Sequence, residues 1–173
     1  PSDFASKLDA ETRSKLIEIG FLNEYGKPLF KGCVVFALRD LDGQIQSLYG
    51  RRIKDSETNN HIYLPGERKG LFSFLGASFD CETVYICESV IDGLALYSKG
   101  FKDVLSLFGV NGFSPLHEEF LKAHKVKSVV LVLDGDRAGR EASFRLKSKL
   151  KELEVESYIV ELPEGQDPCS FLA

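Results

Sequence analysis

From residue 83 onward, short apolar runs alternate along the chain with segments of helical spacing. The apolar runs predict four β-strands, at residues 83–88, 104–108, 128–133 and 155–161. Helical spacing occurs at residues 89–97, at 115–124 and in the stretch after Asp136. Strands that alternate with helices through short links are typical of right-handed βαβ crossovers. The pattern therefore predicts an α/β fold, with a mostly parallel sheet covered by helices.

The first part of the chain follows a different pattern. Residues 5–19 have helical spacing, and Gly20 ends that helix. Two strand-like runs, 32–39 and 44–49, are joined at an Asp-Gly pair, which predicts a β-hairpin with a tight turn. Because the first run is apolar almost throughout, we expect it to be the more buried strand. A further short strand is predicted at residues 61–64.

The change of pattern predicts a domain boundary near residue 80. Residues 1–80 would form a small α+β unit that contains the hairpin, and residues 81–173 would form the α/β domain. A chain of 173 residues is long enough for one large domain or two small ones, each with a hydrophobic core.

Composition limits the class of protein. No apolar run approaches the roughly twenty residues that a membrane helix needs, and no secretory signal is visible, so we expect a soluble cytoplasmic protein without a membrane partner. The four cysteines form no CxxC pair, and the three histidines are not spaced to complete a zinc site with them. We therefore expect reduced thiols and no zinc site. The chain has no methionine, even at position 1, which favours a piece of a longer protein.

Charge is distributed unevenly along the chain, whose net charge is −4. Residues 1–80 carry 11 basic and 11 acidic side chains, and residues 81–173 carry 11 basic and 15 acidic ones. The excess acid thus lies in the predicted α/β domain. Such an excess is typical of a divalent cation site and also of an ordinary acidic surface.

Acidic residues stand at the ends of two predicted strands. Glu88 ends the first strand of the α/β domain, and Asp92 follows one helical turn later. Asp134 and Asp136 directly follow the third strand. Because ligands bind beyond the carboxyl ends of strands in open α/β sheets, these carboxylates form a Mg²⁺ site if the two strands are adjacent. The alternatives are a helix-dipole partner at Glu88, a solvated Asp92 and a capped Asp134–Asp136 turn.

Basic side chains are concentrated around the predicted hairpin. If they lie on one face, they form a track for the phosphates of a nucleic acid, which binds by counterion release. A solvated basic hairpin is the alternative. Tyr49 and Tyr63 lie nearby and could stack on bases or belong to the core. The candidate nucleic-acid-binding residues are Arg39, Arg51, Arg52, Lys54, Arg68 and Lys69.

Several stretches, read together, resemble a known family. The three most specific ones are Ile86-Cys-Glu88-Ser-Val-Ile-Asp92-Gly-Leu-Ala-Leu96, Leu133-Asp134-Gly-Asp136-Arg-Ala-Gly139 and Leu162-Pro-Glu-Gly-Gln-Asp167-Pro168. The first two resemble the Toprim domain shared by bacterial-type DNA primases, topoisomerases and some nucleases. The third, and the hairpin segment upstream, resemble the polymerase core of DnaG-like primases. The likeness extends over roughly residues 12–171.

The resemblance implies a Toprim-like parallel sheet flanked by helices and preceded by a small α+β subdomain. It implies a nucleotidyltransferase that uses ribonucleoside triphosphates to make short RNA primers on single-stranded DNA in replication. Two Mg²⁺ or Mn²⁺ ions would be bridged by Glu88, Asp134 and Asp136, with Asp92 and Asp167 in support. In that interpretation Arg137 and Arg140 hold the triphosphate. A replicative helicase would be a partner through regions absent from this chain.

Two positions depart from the family pattern. Ser89 stands where glycine usually follows the first glutamate. Cys169 stands where a second acid commonly follows the Asp-Pro pair, so we expect one metal ion to be held more weakly. Two other functions stay open on the sequence. One is a Toprim nuclease that uses the same acids to activate water, and the other is a non-catalytic nucleic-acid-binding module.

Overall fold

The computed structural model describes residues 4–54, 59–73 and 82–173. The chain divides into two compact units, Pro1–Gly70 and Leu71–Ala173. The boundary predicted near residue 80 falls outside the described residues and stays a prediction. Within the described ranges, no helix is long and apolar enough to cross a membrane.

The first unit begins with a 3₁₀ turn at Phe4–Lys7 and continues with helix α1 at Ala10–Glu18. Asp9 caps α1, because its carboxylate accepts a hydrogen bond of 2.8 Å from the amide of Thr12. Gly20 has a φ of +74° and ends the helical segment in the left-handed region. The helix predicted over residues 5–19 is therefore a short turn followed by a separately capped helix.

The rest of the first unit is an antiparallel sheet of three strands. They are β1 (Cys33–Arg39), β2 (Ile45–Arg52) and β3 (His61–Tyr63), in the order β1-β2-β3. The predicted hairpin is confirmed. The expectation that β1 is the more buried strand is wrong, because β1 lies at the edge and β2 at the centre. Tyr49 of β2 is only 1% exposed, since its ring stacks between Phe36 of β1 and Tyr63 of β3.

The second unit is a sheet of five strands flanked by helices, in the order β4-β6-β5-β7-β8. The strands are β4 (Phe72–Ser73), β5 (Thr83–Cys87), β6 (Val104–Ser106), β7 (Ser128–Val132) and β8 (Glu156–Ile159). The helices are α2 (Val90–Ser98), α3 (Pro115–Ala123), α4 (Arg137–Glu152) and α5 (Pro168–Phe171). Strands β5 to β8 run parallel, and β4 pairs antiparallel with β6.

The predicted α/β fold is confirmed, with all four predicted strands and three predicted helices in place. The two elements that the pattern did not predict, β4 and α5, have two and four residues, too few to show a periodicity. The core of this unit lies between the sheet and its helices. Val84, Ile86, Leu105 and Leu131 are fully buried there, which explains why β5, β6 and β7 are largely apolar runs without strict alternation.

Candidate functional site

Two adjacent parallel strands end in acidic residues at one edge of the sheet. β5 and β7 pair in register, with Cys87 opposite Val132. Glu88 directly follows β5, and Asp134 follows β7 after Leu133. In the register of the sheet, the two positions differ by one residue. The two strands are therefore adjacent, which is the condition that the hypothesis of a Mg²⁺ site required.

Glu88 lies in a strongly acidic field. Its pKa is raised to about 7, first by burial and then by the negative charges of Asp134, Asp136 and Asp92, in that order. A carboxyl group with this pKa holds a proton much of the time at neutral pH. The charges that act on it show that the predicted ligands are electrostatically coupled.

Asp134 lies in the same acidic field. Its pKa is raised to about 6, first by burial and then by the charges of Asp92, Asp167 and Asp136. Its Oδ1 atom is buried and accepts no hydrogen bond within the described part of the chain. A buried oxygen without a donor costs free energy that a bound cation would recover. The donor set, all carboxylate oxygen, therefore fits a divalent metal such as Mg²⁺.

Asp92 is held in place by Ser89, the residue that departs from the family pattern. Asp92 Oδ2 accepts hydrogen bonds from the amide of Ser89 at 3.1 Å and from its hydroxyl at 2.6 Å. In return, the amide of Asp92 donates to Ser89 Oγ at 3.2 Å, which completes a capping box at the start of α2. Asp92 is only 4% exposed, and burial is the largest cause of its raised pKa. The solvated alternative for Asp92 is therefore wrong.

Asp136 and Asp167 both cap helices. Asp136 Oδ1 accepts a hydrogen bond of 2.7 Å from the amide of Gly139, at the start of α4. Asp167 Oδ1 accepts one of 2.6 Å from the amide of Ser170, at the start of α5. Each cap employs one carboxylate oxygen and leaves the second for another role. The capped-turn interpretation is thus correct for Asp136 and is compatible with metal binding.

Two glycines bring these segments together. The amide of Gly135 donates a hydrogen bond of 2.7 Å to the carbonyl oxygen of Gln166. A β-carbon at Gly135 would overlap the carbonyl oxygen of Pro163, and one at Gly139 would overlap that of Asp134. The main chain that precedes Asp167 therefore lies directly against the turn between β7 and α4.

The five acids act on one another electrostatically, but their side chains do not form a complete metal site. Among the described residues, no three His, Cys, Asp or Glu side chains converge closely enough to hold an ion as they stand. Carboxylates without a counter-charge repel one another, and helix caps hold three of the five acids. The structure brings the predicted ligands to one edge of the sheet, and their role as ligands stays a prediction.

The two arginines of α4 differ in their surroundings. The side chain of Arg137 is 90% exposed, and its Nε donates to Glu141 at 2.8 Å. Arg140 donates from Nη1 to the carbonyl oxygen of Gly135 at 2.6 Å and forms an ion pair with Glu164. Arg140 thus links α4 to the segment before Asp167, whereas Arg137 is open to a ligand. Their predicted contact with a triphosphate stays a prediction.

The basic residues of the hairpin do not share one face. Arg51 and Arg52 are neighbours on β2 and therefore point to opposite sides of the sheet. The period of two in a strand was visible in the sequence and could have predicted this. Arg52 Nε donates to the carbonyl oxygen of Asn59 at 2.9 Å, and Arg39 Nη1 donates to that of Gly43 at 2.7 Å.

The remaining hairpin candidates are largely exposed. The guanidinium of Arg68 lies 4.4 Å from the ring centre of Tyr63, and Lys69 Nζ lies 3.9 Å from Glu67. Lys54 is exposed after the end of β2. Because the ring of Tyr49 is buried, this residue belongs to the core and does not stack on a base.

The sequence assigned no role to His117, which lies buried beside the end of β6. Its Nδ1 accepts a hydrogen bond of 3.1 Å from the amide of Ser114, and its Nε2 contacts the carbonyl oxygen of Ser106 at 3.5 Å. Burial lowers its pKa to about 4. The signal that could have found it is the Ser-x-x-His spacing at the start of α3. His117 is a neutral structural group of the core.

Comparisons with known proteins extend over nearly the whole chain. The model of a Toprim-like family matches residues 85–172. The DNA primase of Aquifex aeolicus is 32% identical over 160 residues, which are 84% of this chain and 30% of that protein. The chain spans less than a third of the length of the curated DNA primases that it matches.

Solved structures share the fold of the chain. A DNA primase domain from Pseudomonas aeruginosa superposes with a TM-score of 0.76 at 26% identity, over 95% of this chain and 56% of that one. A DnaG primase catalytic domain bound to single-stranded DNA superposes with a TM-score of 0.75 at 21% identity, over 98% of this chain and 58% of that one. The likeness includes the first unit as well as the second.

Proposed function

Since the chain belongs to the Toprim-like family, we propose that it is the catalytic core of a cytoplasmic DNA primase. In this proposal it synthesises short RNA primers on single-stranded DNA from ribonucleoside triphosphates. The observation that carries the proposal is the group of acids after β5 and β7, in which Asp134 Oδ1 is buried and no described residue donates a hydrogen bond to it. Similarity to primases along the first unit favours polymerisation over a Toprim nuclease.

Family membership implies the use of divalent metal. We propose that Glu88, Asp134 and Asp136 hold two Mg²⁺ or Mn²⁺ ions, with Asp92 and Asp167 in support. Ions bound there would lower the pKa of the attacking ribose hydroxyl and offset charge on the α-phosphate and the departing pyrophosphate. Burial, and after it the charges of the neighbouring carboxylates, raise the pKa values of Glu88 and Asp134, and a bound cation would relieve this unfavourable charge.

Other residues position the reactants in this proposal. Arg137, exposed at the N-terminus of α4, offers its guanidinium to the triphosphate. Arg140 contributes charge to the same ligand while it holds the turn in place. The template contacts are assigned to Arg39, Arg51, Arg52, Lys54, Arg68 and Lys69. The DNA-bound primase domain of the same fold supports single-stranded DNA as the template, and contact with a replicative helicase is assigned to regions outside this chain.

The direct test is primer synthesis on a single-stranded template with ribonucleotides and Mg²⁺ or Mn²⁺. We expect Asp134→Asn to reduce product by about 10³-fold, because it removes charge where the reaction needs it most. Glu152→Gln, which alters an exposed acid at the other end of α4, is the matched control and should keep full activity. Equal activity in the two variants would contradict the proposal.

Two further outcomes identify the alternatives. DNA cleavage with nucleotides omitted, lost in Asp134→Asn, would favour a Toprim nuclease. DNA affinity that is unaffected by chelation, with no product under any condition, would favour a non-catalytic binding module.

A further inference from the structure

The first unit contains an open groove that the proposed chemistry does not involve. It lies between the 3₁₀ turn, α1 and the start of β1, and its volume is about 930 Å³. Three basic side chains line it, and no acidic residue does so among the described residues. The basic residues are Arg13, Lys27 and Lys31. A groove of this charge is complementary to an anionic ligand.

An aromatic side chain stands at the rim of the groove on a rigid turn. Asn23 Oδ1 accepts hydrogen bonds from the amides of Tyr25 at 3.0 Å and Lys27 at 2.9 Å. The main chain closes the same turn, because the amide of Gly26 donates to the carbonyl oxygen of Asn23 at 2.8 Å. Tyr25 is nevertheless 74% exposed. Because the turn fixes the main chain, only the side-chain torsions of Tyr25 remain to be ordered when a planar ligand stacks on the ring.

One of the three cations lies against the turn that carries Tyr25, and the described residues neutralise none of them. A β-carbon at Gly26 would be 2.9 Å from Arg13 Nη2, so the guanidinium lies against the turn that presents Tyr25. In the part of the chain that the structure describes, Arg13, Lys27 and Lys31 form no ion pair. Their charge is therefore available to phosphates.

The floor of the groove is apolar and continues toward the hairpin. The ring of Phe30 packs against Gly50, where a β-carbon would overlap it, and Phe21 packs on Phe30 with ring centres 5.8 Å apart. Cys33, which lines the groove, stands directly opposite Arg52 in the sheet register. Directly opposed residues of antiparallel strands share a face, so the groove begins beside one of the assigned template contacts.

We propose that this groove binds single-stranded nucleic acid, as a continuation of the template path beyond the hairpin. A base stacks on Tyr25, and Arg13, Lys27 and Lys31 contact the phosphates. Stacking rings combined with a positively charged groove are the means by which proteins hold single strands without reading sequence. The inference rests on the proposed function only in naming the bound strand as the template. An apolar protein segment would not require three cations that form no ion pair with any described residue.

The test is the binding of fluorescent oligothymidylates of increasing length, without nucleotides or metal. Lys27→Ala/Lys31→Ala should weaken binding of long oligonucleotides and lower the slope of log K against log salt by about 1.4, from about 0.7 per lost phosphate contact. Tyr25→Ala should weaken it about tenfold through lost stacking. Short oligonucleotides, which the hairpin alone accommodates, should bind as before. Lys147→Ala/Lys151→Ala removes the same charge from α4 and should change neither quantity.

A conservative variant separates stacking from folding. Tyr25→Phe keeps the ring and should restore the affinity that Tyr25→Ala loses, with unchanged thermal stability. Wild-type affinity and salt slope in all groove variants would overturn the inference. So would a self-associated wild-type protein that becomes monomeric in Tyr25→Ala, since the groove would then hold a second copy of the chain.

Failure here differs from failure of the proposed function. If no primers form but the groove variants weaken binding of long strands, the groove inference stands and the primase proposal fails. If primers form and the groove variants bind normally, the primase proposal stands and the groove inference fails.

Discussion

The amide of Gly135 donates a hydrogen bond of 2.7 Å to the carbonyl oxygen of Gln166. The contact joins the turn that carries Asp134 and Asp136 to the segment that ends at Asp167. It exists because residue 135 is glycine, since a β-carbon there would overlap the carbonyl oxygen of Pro163. Acids from distant parts of the sequence are thus held together by main-chain packing.

Gly135→Ala should separate these two segments. The methyl group must displace main-chain atoms, so we expect the free energy of unfolding to fall by about 1–3 kcal/mol and primer synthesis to fall about tenfold or more. Denaturant unfolding and the primer assay measure the two effects. Ala138→Gly, three residues further on and exposed, should cost at most about 1 kcal/mol and keep activity. A fully active and stable Gly135→Ala protein would show that the contact is dispensable.

Glu88→Gln should stabilise the metal-free protein at alkaline pH. The folded protein holds the proton of Glu88 up to a pKa of about 7, above its usual 4.5, so the free energy of unfolding decreases as pH rises between these values. The amide removes that decrease. Because Glu88 is only partly buried, solvent screening limits the gain at pH 8 to about 1 kcal/mol. Urea unfolding in a chelator measures it.

Addition of Mg²⁺ should make the wild type more stable than Glu88→Gln. The wild type gains stability from an ion that binds only its folded state, and Glu88→Gln should gain less. Glu152→Gln, which alters an exposed acid, should follow the wild type under both conditions. If metal-free Glu88→Gln is less stable than the wild type at pH 8, the negative charge of Glu88 is not destabilising, and our account of the site is contradicted.

His117 should make the protein sensitive to acid. Its pKa falls from 6.5 to about 4 on folding, so stability is lost as pH decreases through this window, while the unfolded chain takes up the proton. The whole window corresponds to about 3 kcal/mol for a buried group. His117→Gln should remove this part of the pH dependence, and His124→Gln should not. Parallel stability curves for His117→Gln and the wild type between pH 6.5 and 4 would refute the assignment.

Arg137 and Arg140 should give different kinetic signatures. Arg137→Ala removes an exposed cation, so we expect KM for nucleotides to rise about tenfold while Tm stays the same. Arg140→Ala should lower Tm as well, because the Gly135 contact and the Glu164 ion pair are both lost. Glu164→Gln should share a part of that loss in Tm with an unchanged KM. Identical effects of the two arginine variants on Tm and KM would show that the distinction is unfounded.

Local patterns predicted most of the second unit, because β5, β6 and β7 are largely apolar runs and the helices have a regular apolar stripe. The first unit was harder to predict. Burial of β2 over β1 depends on which strand is central, and the apolar residues of β1 did not reveal that it is an edge strand. The template track depended on the condition that the basic residues of the hairpin share one face, and strand geometry alone separates Arg51 from Arg52.

The amino-acid sequence by itself determined the order of the elements and the acids at two strand ends, since these follow from periodicity and from residues close together in the chain. Only the tertiary structure decided that β5 lies beside β7, that the segment before Asp167 packs on Gly135, and that Glu88 and Asp134 have raised pKa values. The groove beside Tyr25 also became visible only there. All of these depend on burial and on contacts between distant residues, for which short-range patterns carry no signal.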